Sequence, residues 1–242
     1  MAMTGCRNRY ALLPAAFLIA AGAAHAGELK IRPVRLTLTP DEPVSAMTLQ
    51  NDGAQSAVFQ LRVMVWRQEN GEDIFEPTRE VLVNPGLFEL KPGADQIARF
   101  GLQARQTARP GFYRIFIQEV PARPSHAGEI MTLLRISVPI FSSPADARPH
   151  VSWTLRPTSD GELEVEIRND GDAHIQITSL SISAADGRQI STKPMSVYVL
   201  PGAWRRVRLE TLTPVRAGDR LKLSAETDLI PMEAFATVAD QR

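Results

Sequence analysis

Residues able to make or break covalent bonds are sparse in this chain of 242 residues. His126, His150 and His174 stand far apart and show no metal-ligand spacing, and neither a Gly-x-Ser-x-Gly elbow nor a phosphate-cradling glycine loop occurs. The neighbouring carboxylates, Glu72 with Asp73 and Glu162 with Glu164, fall beside a turn or on alternate positions of a strand, where a solvated face is the ordinary outcome. The single cysteine, Cys6, precedes the cleavage site described below, so the mature chain is expected to have no disulfide, thiol nucleophile or Cys-ligated metal. No catalytic residue and no metal ligand is assigned, and the chain reads as a protein that acts through its surfaces.

Those surfaces must be built from strands. Apolar and polar residues alternate in short runs, as in Met47-Thr48-Leu49-Gln50, Phe59-Gln60-Leu61-Arg62-Val63, Leu163-Glu164-Val165-Glu166-Ile167 and Arg206-Val207-Arg208-Leu209. No window longer than ten residues holds a helical stripe. With 18 prolines and 15 glycines, most of them between the runs, the chain is expected to be all-β.

The chain also echoes itself. Asn51-Asp52-Gly53 and Asn169-Asp170-Gly171 each follow an alternating run, and each is followed later by a Pro-Gly-Ala turn, Pro92-Gly93-Ala94 and Pro201-Gly202-Ala203. Taken singly, each Asn-Asp-Gly reads as a hairpin turn. Their shared order points to two copies of one immunoglobulin-like sandwich, each of about 100 residues. The proline-bearing stretch 142–149 separates them and is expected to be fairly stiff.

Residues 1–26 read as a secretory signal, with Arg7 and Arg9 before an apolar stretch and Ala24-His25-Ala26 as a small-x-small cleavage site. The domains expected are therefore a signal peptide over 1–26, a first sandwich over 27–141, a linker over 142–149 and a second sandwich over 150–242. Of the 27 basic and 27 acidic residues, Arg7 and Arg9 leave with the signal, so 25 face 27 and the net charge is −2. That balance gives no reason to expect a nucleic acid or an anionic membrane as partner, and the apolar stretch is too short and broken for insertion.

Four segments of the first half carry a resemblance. They are Pro33-Val34-Arg35-Leu36-Thr37-Leu38, Met47-Thr48-Leu49-Gln50-Asn51-Asp52-Gly53, the turn Leu90-Lys91-Pro92-Gly93, and the pair of runs at 113–121 and 134–141. Their order after a signal peptide resembles the periplasmic chaperones of chaperone-usher pilus assembly, over most of residues 29–149. The resemblance implies two immunoglobulin-like sandwiches in a boomerang arrangement, no cofactor, pilus subunits and an outer-membrane usher as partners, and action in the periplasm by donor-strand complementation. In that mechanism the chaperone lends a β-strand to a subunit that lacks one.

The run 130–140 has the pattern such a strand needs. Ile130, Thr132, Leu134, Ile136, Val138 and Ile140 fall on one face, the expected lending face, and Met131 and Leu133 are expected to pack inward on the other. The same pattern fits an ordinary core strand, and a bulge would exchange the faces beyond it. The resemblance further implies that an Arg on the first strand and a Lys on the donor strand hold the subunit's C-terminal carboxylate. Arg35 matches the first, since a guanidinium stays charged and binds a carboxylate through two parallel hydrogen bonds. Pro139 stands where the Lys is expected, as in the divergent, archaic branch of the family. Arg114 on the neighbouring run is the candidate for the second charge, with simple solvation its alternative. The competing function is a two-domain adhesion or ligand-binding module, because one sandwich fold serves many functions. Whether the free chain self-associates is left open.

Overall fold

The computed structural model describes residues 29–103, 110–121, 132–144 and 146–240. Among these, every regular element is a strand. The first ten are β1 (Leu29–Arg32), β2 (Leu36–Leu38), β3 (Val44–Asn51), β4 (Ala57–Glu69), β5 (Glu72–Pro77), β6 (Val81–Asn84), β7 (Leu87–Leu90), β8 (Asp95–Leu102), β9 (Gly111–Val120) and β10 (Arg135–Ser142). They form one sheet in the order β1-β3-β8-β6 and a second in the order β2-β10-β9-β4-β5, with β7 also on β4. The other seven are β11 (Val151–Pro157), β12 (Leu163–Asn169), β13 (Ile175–Ala184), β14 (Gln189–Val199), β15 (Trp204–Leu209), β16 (Arg220–Thr227) and β17 (Met232–Thr237). They form sheets β11-β12-β15 and β14-β13-β16-β17. The all-β expectation is met, as two sandwiches in tandem.

The alternation seen in the sequence explains the layering. On β12, Leu163, Val165 and Ile167 are buried against β13 and β16 residues such as Ile177, Ile182 and Leu223. The intervening Glu164 and Glu166 point outward and pair with Arg206 on β15, at 3.6 and 2.8 Å. In the first sandwich Met47 and Leu49 of β3 meet Phe59, Leu61 and Val63 of β4 across the core. Each such apolar side chain contributes roughly 1.5–3 kcal/mol on burial.

The two Asn-Asp-Gly motifs are not hairpins. Each connects strands in opposite sheets, β3 to β4 and β12 to β13, and its asparagine acts as a clamp across the end of the sandwich. Asn51 Nδ2 donates to the carbonyls of Gln55 and Leu90 at 2.7 and 2.9 Å, and its Oδ1 accepts from Gly53 N at 2.9 Å. Asn169 Nδ2 donates to Ala173 O and Val199 O at 2.8 and 3.1 Å, and its Oδ1 accepts from Gly171 N and His150 N at 3.0 and 3.1 Å. The Pro-Gly-Ala turns close on the same asparagines: Gly93 N donates to Asn51 O and Gly202 N to Asn169 O, both at 2.8 Å. Gly93 and Gly202 adopt φ of 73° and 74°, a region that side chains disfavour, which is why the turn carries glycine twice. The Asn-Gly hairpin of the chain is instead Asn70-Gly71, φ 53° and 80°, between β4 and β5.

This clamp predicts a large stability effect. Asn169 is fully buried, and Asn169→Ala strands two buried carbonyls, of Ala173 and Val199, and releases the part-buried amide N–H groups of His150 and Gly171. At about 1–3 kcal/mol for each buried group left unpaired, a loss on the order of 3 kcal/mol is expected even after partial relaxation. Urea unfolding of the variant should show the second sandwich melting at a clearly lower midpoint.

Candidate functional site

The two sandwiches meet over a shared aromatic cluster. Trp66 on β4 and Phe141 on β10 are buried, and both pack with the core of the second sandwich rather than that of the first. Tyr198 of β14 meets the Trp66 ring edge-on at 5.4 Å between centroids, and the Phe141 ring at 5.8 Å. The His174 ring stacks on Phe141 at 3.4 Å and 12°. The β4–β5 hairpin docks alongside: Gln68 Nε2 donates to Tyr198 O at 3.0 Å, Leu200 N donates to Gln68 Oε1 at 2.9 Å, and Arg205 donates to Gly71 O and pairs with Asp73. Asp73 also accepts from Trp66 Nε1 at 2.7 Å, so this carboxylate has a structural partner set.

Arg35 lies in this junction, immediately before β2, whose Leu36 and Leu38 are buried in the first core and fix its position. Its guanidinium crosses to the second sandwich. Nη1 donates to Asp228 Oδ2 at 2.7 Å, Nη2 to Gln176 Oε1 at 2.6 Å, and Tyr198 Oη lies 3.5 Å from Nη2. The Arg35 side chain keeps 32% of its surface exposed, whereas that of Asp228 keeps only 5%. Asp228 Oδ1 also accepts from Gln176 N at 2.8 Å, and His174 Nε2 stands 3.4 Å from Oδ2, close enough for an ionic contact though not aligned as a hydrogen bond. Burial alone would push the Asp228 carboxyl up. The contacts with His174, the Gln176 amide and Arg35 outweigh it and hold the group below its ordinary value, so it is ionised at neutral pH.

Arg114 sits opposite Pro139 in the β9–β10 register. It is half-buried: its guanidinium stacks over Trp66 at 3.9 Å and lies 4.9 Å from the centre of Tyr198, with Nη1 3.5 Å from Ser137 Oγ. Its Nε is buried without a hydrogen-bond partner. Burial lowers its pKa and Arg205 adds to that, while Tyr198 and Asp73 pull the other way, and a guanidinium remains charged throughout. Together with Arg205 and Asp73 it lines a polar cavity of about 210 Å³. Arg35 and Arg114 thus flank the same tyrosine. A second cavity, about 560 Å³ and mostly apolar, opens on the Arg35 side between Phe141, His174, Ile230, Met232 and the linker residues Ser143 and Pro144.

The edge of β10 completes the site. β9 covers one side of β10 along its whole length, but parallel β2 covers the other side only at Ile140, Phe141 and Ser142. Glu119 N donates to Leu134 O at 2.9 Å, and residues two apart on a strand share a direction. The N–H and C=O groups of Arg135 and Ser137 therefore face away from β9 toward an unpaired edge, whereas the Pro139 carbonyl, which faces the same way, meets the start of β2 at Leu36. Pro139 has no N–H to lose there, which suits a proline to this position.

The side chains on β10 require two corrections. The even-numbered face, expected to be lent outward, is the face that packs on the first sandwich's own core, and Val138 and Ile140 are 2% and 0% exposed within it. Leu134 and Ile136 are half-buried at the rim of that core and Thr132 is exposed, so the face opens progressively toward the strand's beginning. Leu133, expected to point inward, is 37% exposed on the other face. Ile130 and Met131 lie outside the described residues. The physical reason is continuity: a strand hydrogen-bonded into a sheet shares its inner face with its neighbours, so apolar positions level with buried Ile115 of β9 face inward too.

His150 contributes its backbone amide to the Asn169 clamp, and His126 lies outside the described residues. Among the described residues no group of His, Cys, Asp and Glu could hold a metal ion. The functional partners missed in the sequence are Asp228, Gln176, His174 and Tyr198, all in the second half. They lie 139 to 193 residues from Arg35, and no local pattern marks them.

Tandem sandwiches, a half-open edge on the last strand before the linker and a guanidinium in the cleft define the class of two-domain β-sandwich assembly chaperones. Residues 28–148 match the family described as pili and flagellar-assembly chaperone, PapD N-terminal domain, and the chain belongs to that family. Members are periplasmic, non-enzymatic chaperones of the chaperone-usher pathway, and an independent adhesion module is not favoured for this chain. Its fold is similar to a chain in the CsuC-CsuE chaperone-tip adhesion subunit pre-assembly complex from archaic chaperone-usher Csu pili of Acinetobacter baumannii. That match has a TM-score of 0.64 and 18% identity, over 89% of this chain and 100% of the other. It is also similar to a chain in the complex of SafA pilin with the SafB chaperone from Salmonella enterica, with a TM-score of 0.59 and 16% identity over 88% and 99%. The CupB2 chaperone of Pseudomonas aeruginosa matches with a TM-score of 0.56 and 14% identity over 87% and 100%. No curated protein sequence matches.

Proposed function

We propose that this chain is exported with removal of residues 1–26, and holds a pilus subunit in the periplasm by adding the open edge of β10 to the subunit's incomplete sheet before passing it to an outer-membrane usher. Residues 27–141 form the client-binding domain, 142–149 the linker and 150–242 the second domain. The observation that carries this reading is the unpaired edge at Arg135–Ser137, bordered by the half-buried apolar Leu134 and Ile136. A client strand paired there would extend the sheet, and its core would continue the even-numbered face, covering Leu134 and Ile136 where the chaperone's own core ends. The client's C-terminal carboxylate would reach Arg35, with Arg114 on the far side of Tyr198 adding positive charge. Chaperone–subunit complexes among the similar structures support this arrangement.

The test is co-expression of the exported chain, tagged at its C-terminus, with small secreted proteins encoded near it. A one-to-one complex with a subunit that is degraded when expressed alone is expected. Recovery of the tagged chain without any such client would overturn the reading.

A further inference from the structure

Both hydrogen-bonding ends of Arg35 are already engaged within the chain, and one of them is held by a carboxylate. Asp228 Oδ2 accepts from Nη1 at 2.7 Å through a single charge-assisted hydrogen bond, on an end of the guanidinium that an incoming carboxylate would also need, and Gln176 Oε1 takes Nη2 at 2.6 Å. We propose that Asp228 is a specificity-determining residue: an internal carboxylate that occupies the anchor until a client displaces it. This inference rests on the reading of Arg35 as the client anchor.

The junction is built for such an exchange. Arg35 is partly exposed, so an incoming carboxylate can approach it, whereas Asp228 is almost wholly buried and is held from two further directions, by the Gln176 amide at 2.8 Å and by the His174 ring at 3.4 Å. Releasing Arg35 leaves Asp228 with the Gln176 amide as its remaining donor, which lowers the cost of exchange without removing it, and that residual cost is the threshold a client must exceed. The apolar cavity of about 560 Å³ beside Phe141 and His174 gives the last residue of an incoming chain somewhere to go.

The consequence is selectivity. A lone carboxylate must displace one of equal charge that the fold already positions, and it gains little from doing so. A carboxylate at the end of a strand paired along β10 is delivered by that pairing at high effective concentration, and it wins. Asp228 thus sets a threshold that admits a C-terminus only when strand addition accompanies it.

The experiment uses the full exported chain as wild type, Asp228→Asn and Arg35→Ala. Asparagine keeps the size of the side chain and an oxygen for the Gln176 amide but removes the competing charge. The probes are N-acetyl-leucine, which offers a free carboxylate, and its amide, which does not. Binding is followed through the NMR signal of the Arg35 guanidinium. Asp228→Asn is expected to respond to N-acetyl-leucine at about tenfold lower concentration than wild type, with no response to the amide, and to retain the co-purified subunit at least as well. Equal or weaker binding of the acid by Asp228→Asn overturns the proposal. Retention of the subunit by Arg35→Ala would instead remove the anchor reading beneath it; loss by Arg35→Ala with an unchanged Asp228→Asn response would remove the threshold alone.

Discussion

Leu134→Glu is expected to leave the chaperone folded and to abolish recovery of its subunit. Leu134 lies where the even-numbered face of β10 leaves the chaperone's own core, and its backbone is fixed by Glu119, whose N donates to Leu134 O at 2.9 Å and whose Oε2 accepts from Leu134 N at 3.1 Å. A glutamate there can turn its carboxylate to solvent in the free protein. Its cost is therefore modest, about 1 kcal/mol, with part of it from repulsion by Glu119. Once a client covers that face, the same carboxylate would be buried in an apolar groove without a partner, at several kcal/mol. Each 1.4 kcal/mol is tenfold, so a loss of more than a hundredfold in complex recovered is expected. Pull-down of the subunit with circular dichroism of the variant separates the two effects. Ser137→Ala, on the outer face of the same edge, serves as the mild control, since the lent backbone groups are unchanged. Normal subunit recovery with Leu134→Glu would remove β10 as the donor.

How much of this was legible beforehand depended on the range of the interactions. Period-two alternation is local, so the strands on which Leu49, Phe59, Val165 and Val207 lie could be read directly, and so could the repetition of the Asn-Asp-Gly and Pro-Gly-Ala pairs. What those motifs do was not legible. A turn tripeptide looks the same whether it reverses a hairpin or crosses between sheets, and only the hydrogen bonds from Asn51 and Asn169 to carbonyls 30 to 39 residues away settle it. The inward face of β10 was misassigned for a related reason. Strand parity is fixed by the neighbour it pairs with, and Ile136 opposite Ile117 and Val138 opposite Ile115 are facts of register, not of composition. Arg35 could be singled out through the family's motifs, yet its present partner could not. Asp228 lies 193 residues away at the end of β16, and nothing near it in the chain distinguishes it from other acidic residues.

That partner changes what Arg35→Ala should do. If Arg35 only awaited a client, its removal would be silent in the free protein. Because its guanidinium also joins the sandwiches, the substitution leaves Asp228 buried with only the Gln176 amide and His174, and removes the contact to the Gln176 side chain. A moderate loss of stability, about 1–3 kcal/mol, is expected at neutral pH, where Asp228 is charged. The sign with pH follows from the depressed carboxyl: the contribution is complete above the ordinary value of 3.8 and is lost as the pH falls through the lower folded value, so wild type and variant should converge in strong acid. Client binding should fall by about a hundredfold, the equivalent of one paired guanidinium–carboxylate contact of roughly 3 kcal/mol. The double variant Arg35→Ala with Asp228→Asn separates the two losses. It no longer buries an underpartnered charge, so its unfolding midpoint should return most of the way to wild type, while subunit binding stays lost. Recovery of both together would mean that the arginine acts on the client only by setting the angle between the sandwiches. Recovery of stability alone places its guanidinium on the client's carboxylate.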